Sequence, residues 1–193
     1  NEENKKNLRK LIKFLRKKSK IKLGIQISHA GRKGSSHIPW EKKNKPLIKG
    51  KWQTFAPSAV RRDKYWPLPK ELSIKQIKKI KKDFCNAAKK VKAIGFDCLE
   101  IHMAHGYLLH QFFSKISNLR KDNYGGNLEN RCRLLLDISR EIKKIWPKNK
   151  ILGARITGSD RLKKGNHIKE AIYLTKKLKK IGFDYVCVSS GGI

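Results

Sequence analysis

The densest group of chemically capable side chains lies in one short stretch, His102-Met103-Ala104-His105-Gly106-Tyr107. Two imidazoles three positions apart can both donate hydrogen bonds to one oxygen atom and polarise it. The phenol of Tyr107 can then deliver a proton to a neighbouring atom. Two alternatives stay open: histidines satisfied by backbone groups at a strand end, and a zinc site. A zinc ion needs a third protein ligand, for which His29 and His110 are candidates, although the spacing does not require one.

Further side chains have the type and the expected position to contact a ligand beside this stretch. Arg155 falls within an apolar pattern, so it needs an accepting partner, either Glu100 on the neighbouring strand or an electron-rich ligand ring. Gln26 offers a donor and an acceptor, which suits the edge of a heterocycle or a core hydrogen bond. Arg32 and Lys33 follow the same strand as Gln26, and solvent exposure is the simplest expectation for both in so basic a chain.

Several common catalytic and binding motifs are absent from the sequence. No G-x-G-x-x-G follows a predicted strand, and no phosphate loop or nucleophile elbow is recognisable. The pair Gly125-Gly126 is interpreted as a tight turn. The four cysteines form no C-x-x-C pair, so we expect free thiols in a cytoplasmic protein.

The elements that must position these side chains alternate between helix and strand. Apolar spacing predicts helices over 5–18, 73–94, 128–146 and 167–181, and strands over 21–28, 98–103, 151–157 and 185–189. Ile94-Gly95-Phe96-Asp97 and Ile181-Gly182-Phe183-Asp184 repeat the same helix-to-strand junction. This alternation predicts a parallel sheet.

Polar side chains on the predicted strands lie mainly toward their C-terminal ends. They are Gln26, Ser28, Glu100, His102, Arg155, Thr157 and Ser189. A doubly wound sheet is normally apolar on both faces, whereas a (β/α)8 barrel has a polar C-terminal rim that holds the active site. The pattern therefore favours an α/β fold of the TIM-barrel type with a ligand at its mouth. The long aromatic-rich loop over 34–72, after the first strand, is expected to be a lid or a binding loop.

The charge of the chain first suggests a nucleic-acid partner. The 193 residues include 48 Lys and Arg against 15 Asp and Glu, a formal net charge of +33. The lysines, however, are spread over the whole chain, while nucleic-acid binders usually concentrate charge on one face and favour Arg. Lys-rich outer helices are therefore the preferred interpretation, with a non-catalytic basic fragment or a nucleic-acid-binding protein as the alternative. No apolar run approaches the ~18 residues of a membrane span, and no secretory leader is recognised.

Four motifs, in order along the chain, resemble the Old Yellow Enzyme family of flavin-dependent ene-reductases, in its bacterial thermophilic-type branch. They are GIQISHAGRK over 24–33, HMAHGYLLHQFFS over 102–114, NLRKDNYGGNLENR over 118–131 and SSGG over 189–192. The resemblance implies a (β/α)8 barrel that holds noncovalent FMN. Residues 1–193 would form a partial FMN-binding domain, truncated at both ends, with the third to sixth strands of that barrel.

The same resemblance implies an activity and its partners. NADH or NADPH would reduce FMN, which would then reduce the activated C=C bond of an α,β-unsaturated carbonyl compound. The expected partner is a small enone-type molecule rather than a membrane or a nucleic acid, in a cytoplasmic homo-oligomer. The His-x-x-His spacing fits ene-reductases better than the iron–sulfur dienoyl reductase relatives.

Residue roles follow from the resemblance position by position. Gln26 would bind the pyrimidine edge of the flavin, and Arg155 would lie against its N1/C2-carbonyl region. His102 and His105 would hold the substrate carbonyl oxygen, and Tyr107 would protonate the α-carbon after hydride transfer from flavin N5. Lys33 would lie near the site, and no metal is expected.

Overall fold

The computed structural model describes residues 2–42 and 45–193, and its main body is a parallel four-stranded sheet covered on one face by helices. The strands are β1 Gly24–Ile27, β2 Phe55–Ala56, β3 Lys70–Glu71, β4 Cys98–Met103, β5 Ile151–Thr157 and β6 Tyr185–Ser189. The helices are α1 Glu2–Lys18, α2 Pro39–Lys42, α3 Ile74–Ile94, α4 Leu108–Phe113, α5 Leu128–Ile145 and α6 Ile168–Ile181. The sheet order is β1-β4-β5-β6, while β2 and β3 pair with each other. Within the described ranges no helix is long and apolar enough to cross a bilayer.

The strand register aligns the polar positions on one face of the sheet. Gln26 lies opposite Glu100, and His102 lies opposite Arg155 on the next strand. The alternate residues face the helices and form the core, where Leu99, Ile101, Met103, Leu152, Ala154 and Ile156 are fully buried. The sheet thus separates an apolar helix-facing side from a polar side that is free to line a cavity.

The repeated junction found in the sequence has the same structural role at both positions. Helices α3 and α6 are each followed by a C-capping glycine, Gly95 and Gly182. Both glycines are in the left-handed conformation, with φ values of 104° and 94° respectively. This conformation is easily adopted by Gly alone. The carboxylates of Asp97 and Asp184 then accept backbone N–H groups near the start of a neighbouring strand, at 2.9 and 2.7 Å. Each junction therefore sets both the end of a helix and the register of a strand.

Two predicted boundaries differ from the structure. The first strand covers only Gly24–Ile27 rather than 21–28, and Ile21 is exposed before it. The predicted loop after β4 contains helix α4, whose six residues are all buried. A helix with no solvent-facing side has no amphipathic pattern, so its sequence carried no helical periodicity.

The segment 34–72 is fastened to the body of the molecule by a buried arginine. The Nη1 atom of Arg120 donates to the carbonyl oxygens of Pro57 and Leu72, at 2.8 and 2.7 Å. The other side of the guanidinium binds the carboxylate of Asp122, with Nη2 and Oδ2 2.6 Å apart. Charge-assisted hydrogen bonds of this kind are the strong ones. The segment is therefore held against the C-terminal edge of the sheet.

Candidate active site

The six side chains selected from the sequence line one cavity of about 580 Å³. They are Gln26, Lys33, His102, His105, Tyr107 and Arg155. The segment 34–72 supplies most of the remaining wall, through Ser36, His37, Ile38 and Arg62. Parallel strands end at a common edge, so residues far apart in sequence converge there.

The turn after β4 brings two imidazoles and a phenol together. The His102 ring centre lies 5.1 Å from that of His105 and 5.0 Å from that of Tyr107. The chain reverses through positive φ values at His105 (55°) and Gly106 (68°). A Cβ at Gly106 would overlap the carbonyl oxygen of Gly192, so only glycine fits. The strained turn places all three rings on the same wall.

The hydrogen bonds of His105 and His102 show which of their ring nitrogens are left for a ligand. Its backbone N–H donates to Thr157 Oγ1 at 3.1 Å, and its Nε2 lies 2.7 Å from Ser189 Oγ. The Nδ1 of His102 is buried and has no hydrogen-bond partner among the described residues. A buried polar group without a partner is unfavourable, and it marks a position that a bound molecule can complete.

Both imidazoles are held in their neutral form. Burial, assisted by the neighbouring His105 and Arg155, lowers the pKa of His102 to about 4. Burial, followed by Arg155 and Lys33, also lowers the pKa of His105. A neutral imidazole has one N–H donor and one acceptor nitrogen. The pair can therefore donate to a carbonyl oxygen without carrying a charge.

We expect acid to destabilise the protein through His102. Its folded pKa of about 4 lies below the usual 6.5, so the contribution to stability is complete above pH 6.5 and is lost as the pH falls through 4. Between pH 7 and pH 4.5 the free energy of unfolding should fall by about 2 kcal/mol from this group alone. Urea unfolding of His102→Gln should lack that component, and the exposed His167→Gln variant should retain it. Equal pH dependence in His102→Gln and wild type would contradict the prediction.

The contacts of Arg155 and Glu100 contradict one interpretation based on the sequence, in which the two residues form an ion pair. The ion pair between Arg155 and Glu100 is not among the salt bridges of the described residues. Glu100 instead accepts from Gln26 Nε2 at 2.5 Å and from the Tyr185 hydroxyl at 3.0 Å. The Nε atom of Arg155 is buried and has no hydrogen-bond partner in the described part of the chain. The guanidinium is thus left to a ligand.

Tyr185 was missed by the sequence analysis because its position depends on a residue of another strand. A Cβ at Gly153 would overlap the Tyr185 ring, so glycine at 153 is what lets the ring lie across β5 toward Glu100. The register pairs Gly153 with Tyr185 directly. A glycine inside a predicted strand is the signal that marks such a close approach.

The expectation that Arg32 and Lys33 are solvent-exposed is wrong. Arg32 is only 2% exposed, and its Nη1 donates to the carbonyl oxygens of Val60 and Arg61, both at 3.1 Å. The Lys33 ammonium donates to the carbonyl oxygens of His105, at 2.5 Å, and Gly192. Burial lowers the pKa of Lys33 to about 8. The segment 34–72 folds back over both residues, which no local pattern indicates.

A buried cluster of hydrogen bonds around His110 and Asp160 stabilises the turn after β4. The Nδ1 of His110 accepts the Gly106 N–H at 2.8 Å, so its Nε2 carries the proton and donates to Asp160 Oδ1 at 2.8 Å. The other carboxylate oxygen accepts from the Ser114 hydroxyl and the Asn166 N–H, both at 2.7 Å. His110 is therefore engaged in this cluster rather than in a metal site. Among the described residues no three metal-ligating side chains lie together.

Comparison with known proteins agrees with this arrangement. The profile of the NADH:flavin oxidoreductase / NADH oxidase family matches residues 1–192. An NADH:flavin oxidoreductase of Gibberella zeae is 40% identical over 201 residues, which cover 96% of this chain and 48% of the relative. An NADPH dehydrogenase of Bacillus subtilis is 40% identical over 172 residues, 89% of this chain and 46% of the relative. The solved structure of morphinone reductase superposes with a TM-score of 0.77 at 25% identity, over 94% of this chain and 50% of that one.

These matches confirm the predicted parallel α/β fold as about half of a (β/α)8 barrel, and the description of the matching family names the flavin and the NADH that the sequence led us to expect. The chain spans about half the length of the curated relatives it matches. Its assignment to the thermophilic-type branch stays a prediction. On the match over residues 1–192 and on relatives 40% identical, the chain belongs to the NADH:flavin oxidoreductase / NADH oxidase family, the family of the Old Yellow Enzymes.

Proposed function

We propose that the protein containing this chain uses NADH or NADPH to reduce the activated C=C bond of α,β-unsaturated carbonyl compounds, with FMN as the redox cofactor. One observation carries the proposal. Two neutral imidazoles and a phenol share one wall of a cavity whose floor holds a guanidinium without an ion-pair partner. Neutral donors suit a carbonyl oxygen, whereas the guanidinium suits an electron-rich ring.

The residues of the floor fit FMN. The Gln26 amide nitrogen is engaged by Glu100, so its amide oxygen is left to accept an N–H from the edge of a heterocycle. Arg155 would lie against the N1/C2-carbonyl side of the ring and favour negative charge there. When bound, FMN would supply the hydride chemistry that connects the nicotinamide with the substrate. Arg155 and Gln26 therefore bind and orient the ring.

The two imidazoles and the phenol act on the substrate. His102 and His105 would each donate a hydrogen bond to the carbonyl oxygen, which withdraws electrons from the conjugated C=C bond. His102 is 4% exposed, and hydrogen bonds in such a water-poor site are stronger than in solvent. The Tyr107 hydroxyl would deliver the proton to the α-carbon. Lys33 is a positioning residue, since its ammonium holds the backbone carbonyl of His105.

Replacing Arg155 tests the flavin-binding role. We expect Arg155→Lys to raise the Kd for FMN about tenfold, because an ammonium loses the planar fork and its hydrogen bonds to the ring. Quenching of flavin fluorescence on titration with apoprotein measures this Kd. Arg140→Lys is the matched control, because Arg140 is exposed on α5 and paired with Asp137. Equal Kd values for Arg155→Lys and Arg140→Lys would remove Arg155 from the flavin site.

The activity itself is tested by following the hydrogen atoms that are added to the β-carbon and the α-carbon of the substrate. The intact protein is reduced under anaerobic conditions with NADH or NADPH, and 2-cyclohexenone is then added. We expect flavin bleaching, then recovery of its absorbance with formation of cyclohexanone. Deuterium from labelled reductant should appear at the β-carbon, and deuterium from heavy water at the α-carbon. Oxidation of the reductant with no saturated product would overturn the ene-reductase proposal, and salt-sensitive DNA retention without flavin binding would favour the basic-protein alternative.

The same interpretation extends to partners and compartment. A small enone-type molecule is the proposed substrate, because the cavity of about 580 Å³ has the size of a small-molecule site. The four cysteines are unpaired, which supports a reducing compartment such as the cytoplasm. Assembly into a homo-oligomer stays a prediction from the family resemblance.

A further inference from the structure

A second cavity, of about 550 Å³, lies within the segment 34–72 and adjoins the candidate active site. His37 lines both cavities. Arg62 lines the first, and its guanidinium carbon lies 4.5 Å from the ring centre of Trp66, which lines the second. The two cavities therefore adjoin at His37 and at the contact between Arg62 and Trp66.

The second cavity presents aromatic and aliphatic surface to solvent. Tyr65 is 75% exposed and Ile48 is 77% exposed, although both are large apolar residues that line it. Trp66 closes the floor and is almost fully buried. Exposed apolar surface of this kind, gathered around one concavity, is typical of a site that a ligand covers.

Polar groups around this surface favour an anionic ligand with hydroxyl groups. Lys45 lines the cavity and is exposed, and the Arg62 cation adjoins it through Trp66. The Nε2 of His37 is buried and has no hydrogen-bond partner among the residues that the structure describes. One carboxylate oxygen of Asp63, Oδ1, accepts the Tyr65 N–H at 2.9 Å, so Oδ2 is available to a hydroxyl.

NADH and NADPH are large enough to extend from the first cavity into the second. Ligand cavities of roughly 300–1,000 Å³ hold one drug-sized molecule. The first cavity must accommodate the flavin ring and the nicotinamide, so the adenosine diphosphate half of NADH or NADPH has to lie outside it. The segment 34–72 forms the neighbouring wall, and its second cavity adjoins the first at His37.

We propose that the second cavity binds the adenosine diphosphate half of the reductant, an inference that rests on the proposed function. The adenine ring stacks on Tyr65, since a base offers a π-face to an aromatic side chain. The pyrophosphate lies near Lys45 and Arg62, whose charge complements it. The Asp63 carboxylate accepts a hydrogen bond from a ribose hydroxyl.

The experiment varies the reductant and the side chains of the second cavity separately. In the intact FMN-loaded protein, kcat/KM for flavin reduction is measured with NADH, NADPH and reduced nicotinamide mononucleotide, which lacks the adenosine half. Wild type should prefer the dinucleotides. Tyr65→Ala and Lys45→Gln should lower kcat/KM for the dinucleotides about tenfold each, so that the preference over the mononucleotide falls toward one. Trp40→Ala, which removes an 82% exposed aromatic that lines neither cavity, is the control and should keep the preference.

Binding of ADP-ribose gives a readout that is independent of turnover. Saturation-transfer NMR should detect its adenine protons with wild type and lose them with Tyr65→Ala at equal FMN content. An unchanged dinucleotide preference in both variants, or ADP-ribose binding that survives Tyr65→Ala, would overturn the second-cavity proposal and leave the proposed function intact. Failure of all three reductants to reduce the flavin would instead refute the proposed function.

Discussion

The Tyr107→Phe variant of the intact flavoprotein is expected to reduce enones with a kcat at least about 100-fold below that of wild type. The phenol lies edge-on to His102, with ring centres 5.0 Å apart, and Phe retains that packing. The change therefore removes the proton donor and little else. Both imidazoles are assigned to the carbonyl oxygen and Arg155 to the flavin, while the Lys33 ammonium is bound to two backbone carbonyl oxygens, so none of these groups is placed to replace the phenol.

The defect should appear where the substrate is protonated. Stopped-flow mixing of the reduced variant with 2-cyclohexenone should show slow recovery of flavin absorbance and a changed solvent deuterium isotope effect. Tyr124→Phe is the matched control, because Tyr124 packs against Phe112 and lines no part of the cavity. A Tyr107→Phe rate within about threefold of wild type would show that another group or solvent provides the proton.

The Asp160→Ala variant is expected to lower the free energy of unfolding by about 3–5 kcal/mol. The carboxylate is fully buried and accepts three hydrogen bonds, from His110, Ser114 and Asn166. Its removal leaves three buried donors without an acceptor. Asp160→Asn should lose less, about 1–3 kcal/mol, because the amide oxygen still accepts while its NH2 opposes one donor.

The pH dependence of stability provides a second measure of the same cluster. Burial alone would raise the pKa of Asp160, but hydrogen bonds from His110 and Ser114 outweigh it and hold the pKa below the usual 3.8. The stabilisation from Asp160 is thus complete above that value and is lost as the pH falls through the lower folded pKa. Urea unfolding at neutral pH measures the main effect. Asp83→Ala, which breaks an exposed pair with Lys79, should change stability by less than about 1 kcal/mol. A loss that small in Asp160→Ala would contradict the prediction.

The parts of the structure that follow from short-range patterns were predictable. The bounds of β4, β5 and β6 agree with the alternation of apolar and polar residues, because one face of each strand packs on helices. The cavity residues were selected by chemical type and by their position on the predicted strands or directly after them. Their convergence is a consequence of parallel strands that end at one edge.

The parts that depend on contacts across the chain were not predictable. Arg32 is buried because the segment 34–72 covers it, and Asp160 meets His110 from 50 positions away in the sequence. Helix α4 lacks the polar face by which a helix is recognised. In each case the deciding contact involves a residue whose position follows only from the tertiary fold.

The backbone contact between Gly106 and Gly192 joins two turns at the candidate active site. The turns after β4 and β6 approach so closely that a Cβ at Gly106 would overlap the Gly192 carbonyl, and the Lys33 ammonium bridges the same two turns. Because one ammonium holds a carbonyl oxygen of each turn, the two loops are mechanically coupled. A substitution that displaces the turn after β6 is therefore expected to displace the His105 ring as well, although the two residues belong to different βα units.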